Sequence, residues 1–497
     1  KVSRKEQGII GIITDNSFLD NKTFYKMREE LLKSFDCIYI LNLHGESRKK
    51  GNNADKNIFD IQQGVCISFM IKNKNLKERG LYYYSLTDNN ILARNEKLDF
   101  LNNSEISNIK WIKLNPNETK DISFIKRDLS NIEEYSNFNK INEIFDSPSL
   151  PIMSKKDYSN KERNIWITYQ YSLFDLETVV KVFKNMQEQE IKSLYNISEE
   201  SDWKIVGAKQ DLLADYNPQI ISYRIWDFRY TSLSRTQGFL ARPSYNKIGK
   251  HFNNNNIGII FERGCNNNFN HIFITNKYAD FHCIGGGSYL APLYLYRDDA
   301  GFFGASKEPN FSKKFVDDYL SKLSFKPTPE EVLAYIYGVL HSNIYRCKYI
   351  EFLKTDFPSI PMTKNRQVFY DYAKLGQKLI DLHLLEKLPT DEKIKVSLSD
   401  IGNNFVIKKI TPPDNENKLI LTTAENKTIT FNGVTNDIYN FEIGSYKPID
   451  KWLKYRIKDN VVLGTEDLNH IKNMIIAIKN TILIMNEIEN LGEKYLD

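Results

Sequence analysis

The polar and apolar positions of this chain change period several times, and each change marks an element. Gly8 to Thr14, GIIGIIT, is an unbroken apolar run of strand length and predicts a buried strand. Asp15-Asn16-Ser17 punctuates it, and Phe24, Met27 and Leu31 then recur at helical spacing. Cys37 to Leu43 is a second apolar strand. Strand, helix and strand in this short span predict a parallel crossover, and Val65–Ile71 with Leu81–Leu86 add two strands able to pair as a hairpin. Together they predict half of an open α/β sheet. From 87 to 200 the pattern breaks into short elements, punctuated at Asn115-Pro116-Asn117 and Ser147-Pro148-Ser149.

Between 200 and 330, β-like runs at Trp203–Val206, Ile257–Phe261, His271–Thr275 and Leu290–Tyr296 alternate with Gly, Asn and Pro clusters, so this region is β-rich or mixed. The Asn runs 253–256 and 266–268 are flanked by ordered patterns and read as loops. Pro327 to Glu331 opens a helical block with helices at Val332–Ile344 and Val368–Leu388. In the second, Phe369, Tyr372, Gly376, Leu379 and His383 share one stripe. His383 therefore reads as a core or edge residue rather than a ligand. After a strand-like stretch from 390 to 440, a long helix starts near Thr465, with Glu466 and Asp467 suited to its first turn. Its stripe of Leu468, Ile471, Ile475, Ile478, Ile482 and Met485 most simply packs on the body of the protein, a dimerising coiled coil being the alternative.

Length and charge narrow the classes. The 497 residues exceed one compact domain. A formal charge of only +5 places any nucleic-acid surface in a local patch rather than in a global field. No apolar run approaches the roughly 18 residues that span a bilayer, so a soluble protein without a membrane partner is expected. Five scattered cysteines, Cys37, Cys66, Cys265, Cys283 and Cys347, form no CxxC pair. That fits a reducing cytoplasm, with neither a disulfide framework nor a metal site. With Lys1 first and a strand already at Gly8, the chain reads as starting inside a fold.

Phe59, in NIFDIQQGVCISFMIK at 57–72, sits just ahead of an apolar strand, where a base swung out of duplex DNA would find an aromatic face. On spacing alone, the simpler reading is an aromatic packed into the core at a strand start. Its neighbours change that balance. GIIGIITDNSFLDNKTFYKMREELL at 8–32, CIYILNLHG at 37–45 and residues 57–72 together resemble the segment downstream of the catalytic motif in adenine-specific amino-methyltransferases. Four later blocks resemble the specificity region of type ISP restriction-modification enzymes: YRIWDFRYTSLSRTQGFLARPSYNKIGKH (223–251), YLAPLYLY (289–296), FLKTDFPSIPMTKNRQVFYDYAKLGQKLIDLHLL (352–385) and FEIGSYKPIDKWLKYR (441–456). Those enzymes join nuclease, translocase, methyltransferase and target-recognition parts in one polypeptide.

The resemblance implies an α/β chain: the distal half of a Rossmann-like methyltransferase sheet over 1–160, then a mixed α+β target-recognition domain over 161–497 with a helical C-terminal part. A further division of that domain near 325 is left open. It implies duplex DNA as partner, together with upstream nuclease, translocase and methyltransferase parts, and methylation of one adenine at N6 with S-adenosylmethionine as donor. It also implies that Phe59 stacks on the target base. The Asn-Pro-Pro-aromatic loop that such chemistry needs is missing, and so is a Gly-bearing cofactor turn. Pro412 and Pro413 lie far downstream, and Ile284-Gly-Gly-Gly-Ser288 lacks a strand-turn-helix setting. No catalytic residue is therefore assigned, and the chain reads as the C-terminal third of a larger enzyme.

The stretch from Tyr223 to His251 mixes cations with aromatics. Arg235, Arg242, Lys247 and Lys250 are the candidates to face DNA, and Arg229 is a further one whose alternative is an internal pair with Asp227. Lys451, Lys454, Arg456 and Lys458, beside Trp452 and Tyr455, form a second basic cluster, open to reading as a DNA contact or as a solvated helix face. Two other classes remain: a stand-alone DNA-binding specificity module without chemistry, and a scaffold with no salt-dependent affinity for DNA.

Overall fold

The structure is a computed structural model that describes residues 7–46, 55–118, 122–154, 165–197, 199, 201–265, 268–297, 306–398 and 404–495. It divides into two compact units, Lys1–Leu129 and Ser130–Asp497.

The first unit is built on a mixed sheet of β1 (Gln7–Asp15), β2 (Cys37–His44), β3 (Val65–Asn73), β4 (Gly80–Ser85) and β5 (Ile112–Leu114), with helices α1 (Tyr25–Ser34) and α2 (Arg94–Asn103). The strand order is β1-β3-β2-β4-β5. β3 runs antiparallel to both β1 and β2, so those two strands point the same way, as a crossover requires, but are separated by β3. The anticipated hairpin of β3 with β4 does not form. β4 instead pairs in parallel with β2. The register explains the choice, because Ile10, Met70, Ile38 and Leu81 line up in one cross-strand row on the core face.

β1 departs from its expected burial. It is an edge strand, and Ile9, Ile12 and Ile13 are exposed. Two fully buried cations brace this unit. The Arg28 guanidinium donates to the carbonyls of Phe18, Asn21 and Ile122, closing the turn before α1. Lys97 on α2 pairs with Asp55 and donates to the Leu43 carbonyl at 2.7 Å.

In the second unit, strands Ile272–Thr275, Gly258–Glu262 and Ser288–Pro292 form an antiparallel sheet, mostly buried, where the sequence places its β-like runs. Helices Pro329–Leu340 and Arg366–His383 pack against it. The first opens with a capping box between Thr328 and Glu331 and Pro329 in its first turn. The two helices meet at glycines: a Cβ on Gly376 would lie 1.8 Å from the Ala334 carbonyl oxygen. Strands Lys395–Leu398, Thr428–Asn432, Lys418–Thr423 and Ile407–Thr411, in that order, make a four-stranded sheet in the strand-like region. Trp203–Val206 is not a strand. Helix Ile205–Ala214 begins there, and the buried Trp203 donates its indole N–H to the Phe239 carbonyl at 3.0 Å.

Helix Thr465–Tyr495 packs its apolar stripe into the body: Leu468, Ile471, Ile475, Ile478 and Met485 are all buried. Residues 130–154 belong to this second unit by contact, for Asn139–Lys140 pairs with Ser359–Ile360, and Ser149 and Met153 bridge Leu290 and Arg242. Among the described residues, no helix is long and apolar enough to cross a membrane.

Candidate nucleic-acid interface

The aromatic and cationic stretch is organised by a hairpin, Pro218–Arg224 with Asp227–Ser232. Its turn points inward. Trp226 is 1% exposed and holds a left-handed φ of 55°, a conformation that bulky residues rarely keep. Three contacts hold it there. Its indole N–H donates to the His383 carbonyl at 2.8 Å, His470 Nε2 donates to its carbonyl at 2.7 Å, and its ring meets Phe273 edge-on.

Below the turn, Asp227 accepts two hydrogen bonds from Arg229, at 3.0 and 3.1 Å, and pairs with Arg456 at 2.8 Å. All three side chains are buried. Burial alone would raise the Asp227 carboxyl, but Arg456 and Arg229 outweigh it and hold the group below its ordinary value. The Arg229 guanidinium lies 3.4 Å from the centroid of the Tyr171 ring, and Arg456 lies 3.7 Å from that of Trp452. Arg229 is therefore an internal residue, paired with Asp227 as the alternative reading of the sequence had it. The second basic cluster divides likewise. Arg456 belongs to the interior, while Lys454 is exposed and pairs with Asp450 at 2.7 Å. Sequence reading missed the Asp227–Arg456 pair, since nothing local links residues so far apart.

Of the remaining candidates, Arg235, Arg242 and Lys247 are exposed and Lys250 is half-buried. Arg235 is exposed, pairs with Asp215 at 2.9 Å and approaches the Tyr245 ring. Arg242 is exposed and pairs with Asp202 at 3.3 Å. Such pairs are weak in water, so both cations remain available to phosphate. Lys247 and Lys250 line a cavity of about 430 Å³ with Ser147, Ser149, Asn246 and Tyr296. The structure thus keeps Arg235, Arg242, Lys247 and Lys250 along one loop region.

In the first unit, Phe59 is 41% exposed rather than packed into the core. Asn57 presents it: its amide donates to the carbonyls of Gly45 and Gln63, and its carbonyl accepts from the Phe59 N–H at 2.9 Å. The Gly285–Gly287 segment is a turn. Gly285 has φ +123°, Gly286 N–H donates to Glu262 at 2.7 Å, and a Cβ on Gly286 would strike that carboxylate. Pro412 and Pro413 directly follow strand Ile407–Thr411. Among the described residues, no group of three His, Cys, Asp or Glu side chains is placed to hold a metal ion.

The family model of the Type ISP C-terminal specificity domain matches residues 152–487. No curated protein matches the chain. Solved structures do. A nuclease-deletion mutant of the Type ISP restriction-modification enzyme LlaGI, in complex with a DNA substrate mimic, is 22% identical with a TM-score of 0.70, over 98% of this chain and 46% of that one. The ATP-dependent Type ISP restriction-modification enzyme LlaBIII bound to DNA is 22% identical with a TM-score of 0.72, over 98% of this chain and 33% of that one. DrdV in its DNA complex is 17% identical with a TM-score of 0.69, over 98% of this chain and 50% of that one. The chain therefore spans a third to a half of the structures it resembles.

Proposed function

Since the chain belongs to the Type ISP C-terminal specificity domain family, we propose that it selects a sequence in duplex DNA on behalf of a bacterial restriction-modification enzyme. The family match across 152–487 carries this reading. The exposed cations Arg235, Arg242 and Lys247, with the half-buried Lys250 beside them, support it, because phosphate contacts position a duplex before its bases are read.

The chemistry served is methylation of one adenine at N6, with the base swung out of the helix. Phe59 is the face on which that base stacks, and its exposure on a loop clasped by Asn57 supports that role. The first unit is the distal part of the methyltransferase sheet. The open edge and bare isoleucines of β1 suit a sheet that continues into further protein. S-adenosylmethionine would supply the methyl group. On this reading cofactor binding and the chemical step belong to upstream parts, as do the nuclease and translocase, since neither the Gly285–Gly287 segment nor Pro412 and Pro413 sit in a strand-turn-helix setting. This chain's share is to bind the duplex, fix its register and receive the base.

A specificity module without chemistry is the second reading, favoured by the separate compactness of residues 130–497. Adding the upstream methyltransferase part to this chain and assaying methyl transfer to duplex DNA separates the two. Restored transfer supports the first reading, and its absence under conditions where duplex is bound supports the second. Affinity that does not fall with rising salt contradicts both.

A further inference from the structure

The Asn run at 253–256 acquires a use in the structure. Asn256 is buried and works as a clasp: its amide donates to the carbonyls of His251 and Tyr294 at 3.0 and 2.8 Å, and its carbonyl accepts from the backbone N–H of Ile257 and Tyr294. Tyr296 adds a hydrogen bond to the Asn255 carbonyl at 2.8 Å. The loop is thereby fixed from within, and it presents an exposed Asn255 whose side-chain amide has no partner among the described residues.

Asn255 borders a cleft of about 500 Å³. Gln219 and Asn253 line it as well, each with its amide nitrogen engaged, on Asn217 and Tyr245, and its carbonyl oxygen left over. The stacked rings of Phe252 and Tyr278 form an apolar wall. No carboxylate lines the cleft, and Lys277 turns its ammonium to the Asn276 carbonyl at 2.9 Å. A metal cation therefore finds no charged ligand. A flat heterocycle whose edge carries a donor next to an acceptor matches the amides.

The turn Gly249–Phe252 separates this cleft from the cavity of Lys247 and Lys250, and Tyr296 links the two, lining one and holding the loop of the other. The ammonium groups of Lys247 and Lys250 and the amides of Asn253 and Asn255 thus sit on one loop braced by Asn256 and Tyr296, with Gln219 across the cleft on its strand.

We propose that Asn255, with the amides beside it, reads an adenine of the recognition sequence through its exposed edge, while Lys247 and Lys250 hold the neighbouring phosphates. This rests on the duplex-recognition reading above. An Asn side chain can accept from adenine N6 and donate to N7 together, a pairing that no other base edge offers in the major groove.

Selection of bound duplexes from a randomised pool, run with the full chain and with its variants, is the test. Asn255→Ala should lose adenine preference at one position by roughly tenfold, keep the others, and leave the salt dependence unchanged. Asn255→Asp should shift that position toward cytosine, whose amino group donates to a carboxylate. Lys247→Ala with Lys250→Ala should weaken every sequence alike and flatten the salt dependence. If both Asn255 variants keep the parental preference at every position while folded by circular dichroism, the assignment of Asn255 is wrong. A parent chain that enriches no sequence overturns the recognition reading itself, and this inference with it.

Discussion

Arg456, on the helix Pro448–Lys458, reaches across to Asp227 at 2.8 Å and meets there the guanidinium of Arg229. One carboxylate thereby ties the inward-turned hairpin to the C-terminal helices, with two cations sharing its charge. Removing the carboxylate leaves both arginines buried and uncompensated. Asp227→Ala should destabilise the second unit by about 3 to 5 kcal/mol in denaturant unfolding. A loss under about 1 kcal/mol would show that the triad does not hold the hairpin. Because Asp227 is held below its ordinary value, its contribution is present at neutral pH and lost as the pH falls below the carboxylate range, and the variant should show a shallower acid limb.

Glu262 behaves in the opposite sense. Burial pushes its carboxyl up to about 7, while burial lowers His271, 3.9 Å away, to about 4. Between those values both groups are neutral, so their closeness is not an ion pair. A raised acid stabilises the fold below its unfolded value, and that contribution is lost as the pH climbs through about 7. Glu262→Gln keeps an acceptor for Gly286 N–H and carries no charge. It should match the parent near pH 5 and exceed it by about 1 to 3 kcal/mol at pH 8. Equal stability at both pH values would contradict a desolvated Glu262.

His383 sits in a directed chain of hydrogen bonds. Thr481 donates to the Ala477 carbonyl, so its oxygen accepts from His383 Nε2, and His383 Nδ1 in turn accepts from the Tyr337 hydroxyl at 2.6 Å. Burial lowers the imidazole to about 3, and it is neutral in this setting. Stability should decline as the pH falls from about 6.5 toward that value. His383→Ala should remove part of this slope and cost about 3 kcal/mol, through the lost ring and the stranded Tyr337 hydroxyl. An unchanged pH profile would place the proton elsewhere.

Phe59→Ala should leave folding stability within about 0.5 kcal/mol, since the ring is largely outside the core. In the enzyme completed by its upstream parts, it should lower methyl transfer with little change in affinity for the site. Full turnover by a folded variant would remove Phe59 from the base-stacking role.

Arg242→Ala should weaken duplex binding and reduce the slope of log affinity against log salt by about one, as the loss of a single phosphate contact does. An unaltered slope would mean that Arg242 faces water or only its partner Asp202.

Much of the architecture is written in local patterns. The stripe from Leu468 to Met485 gave the C-terminal helix, and Pro327 to Glu331 marked the start of another. What stayed hidden depends on partners far away in sequence. No local period says that β3 inserts between β1 and β2, because pairing is decided by whole rows such as Ile10, Met70, Ile38 and Leu81. For the same reason the exposure of Ile9, Ile12 and Ile13 could not be read from a run that looks like a buried strand. At the interface, cations interleaved with aromatics describe a DNA-facing loop and a buried cation-π lattice equally well. Arg235 and Arg242 stay at the surface in pairs with Asp215 and Asp202, whereas Arg229 and Arg456 are buried on Asp227, a carboxylate whose place no local pattern reveals.

The central claim, that this chain reads duplex sequence, is tested most directly by sequencing the duplexes it retains from a randomised pool at moderate salt. Enrichment of one asymmetric motif containing an adenine is the expected result. Retention without enrichment, or no retention at all, would contradict it.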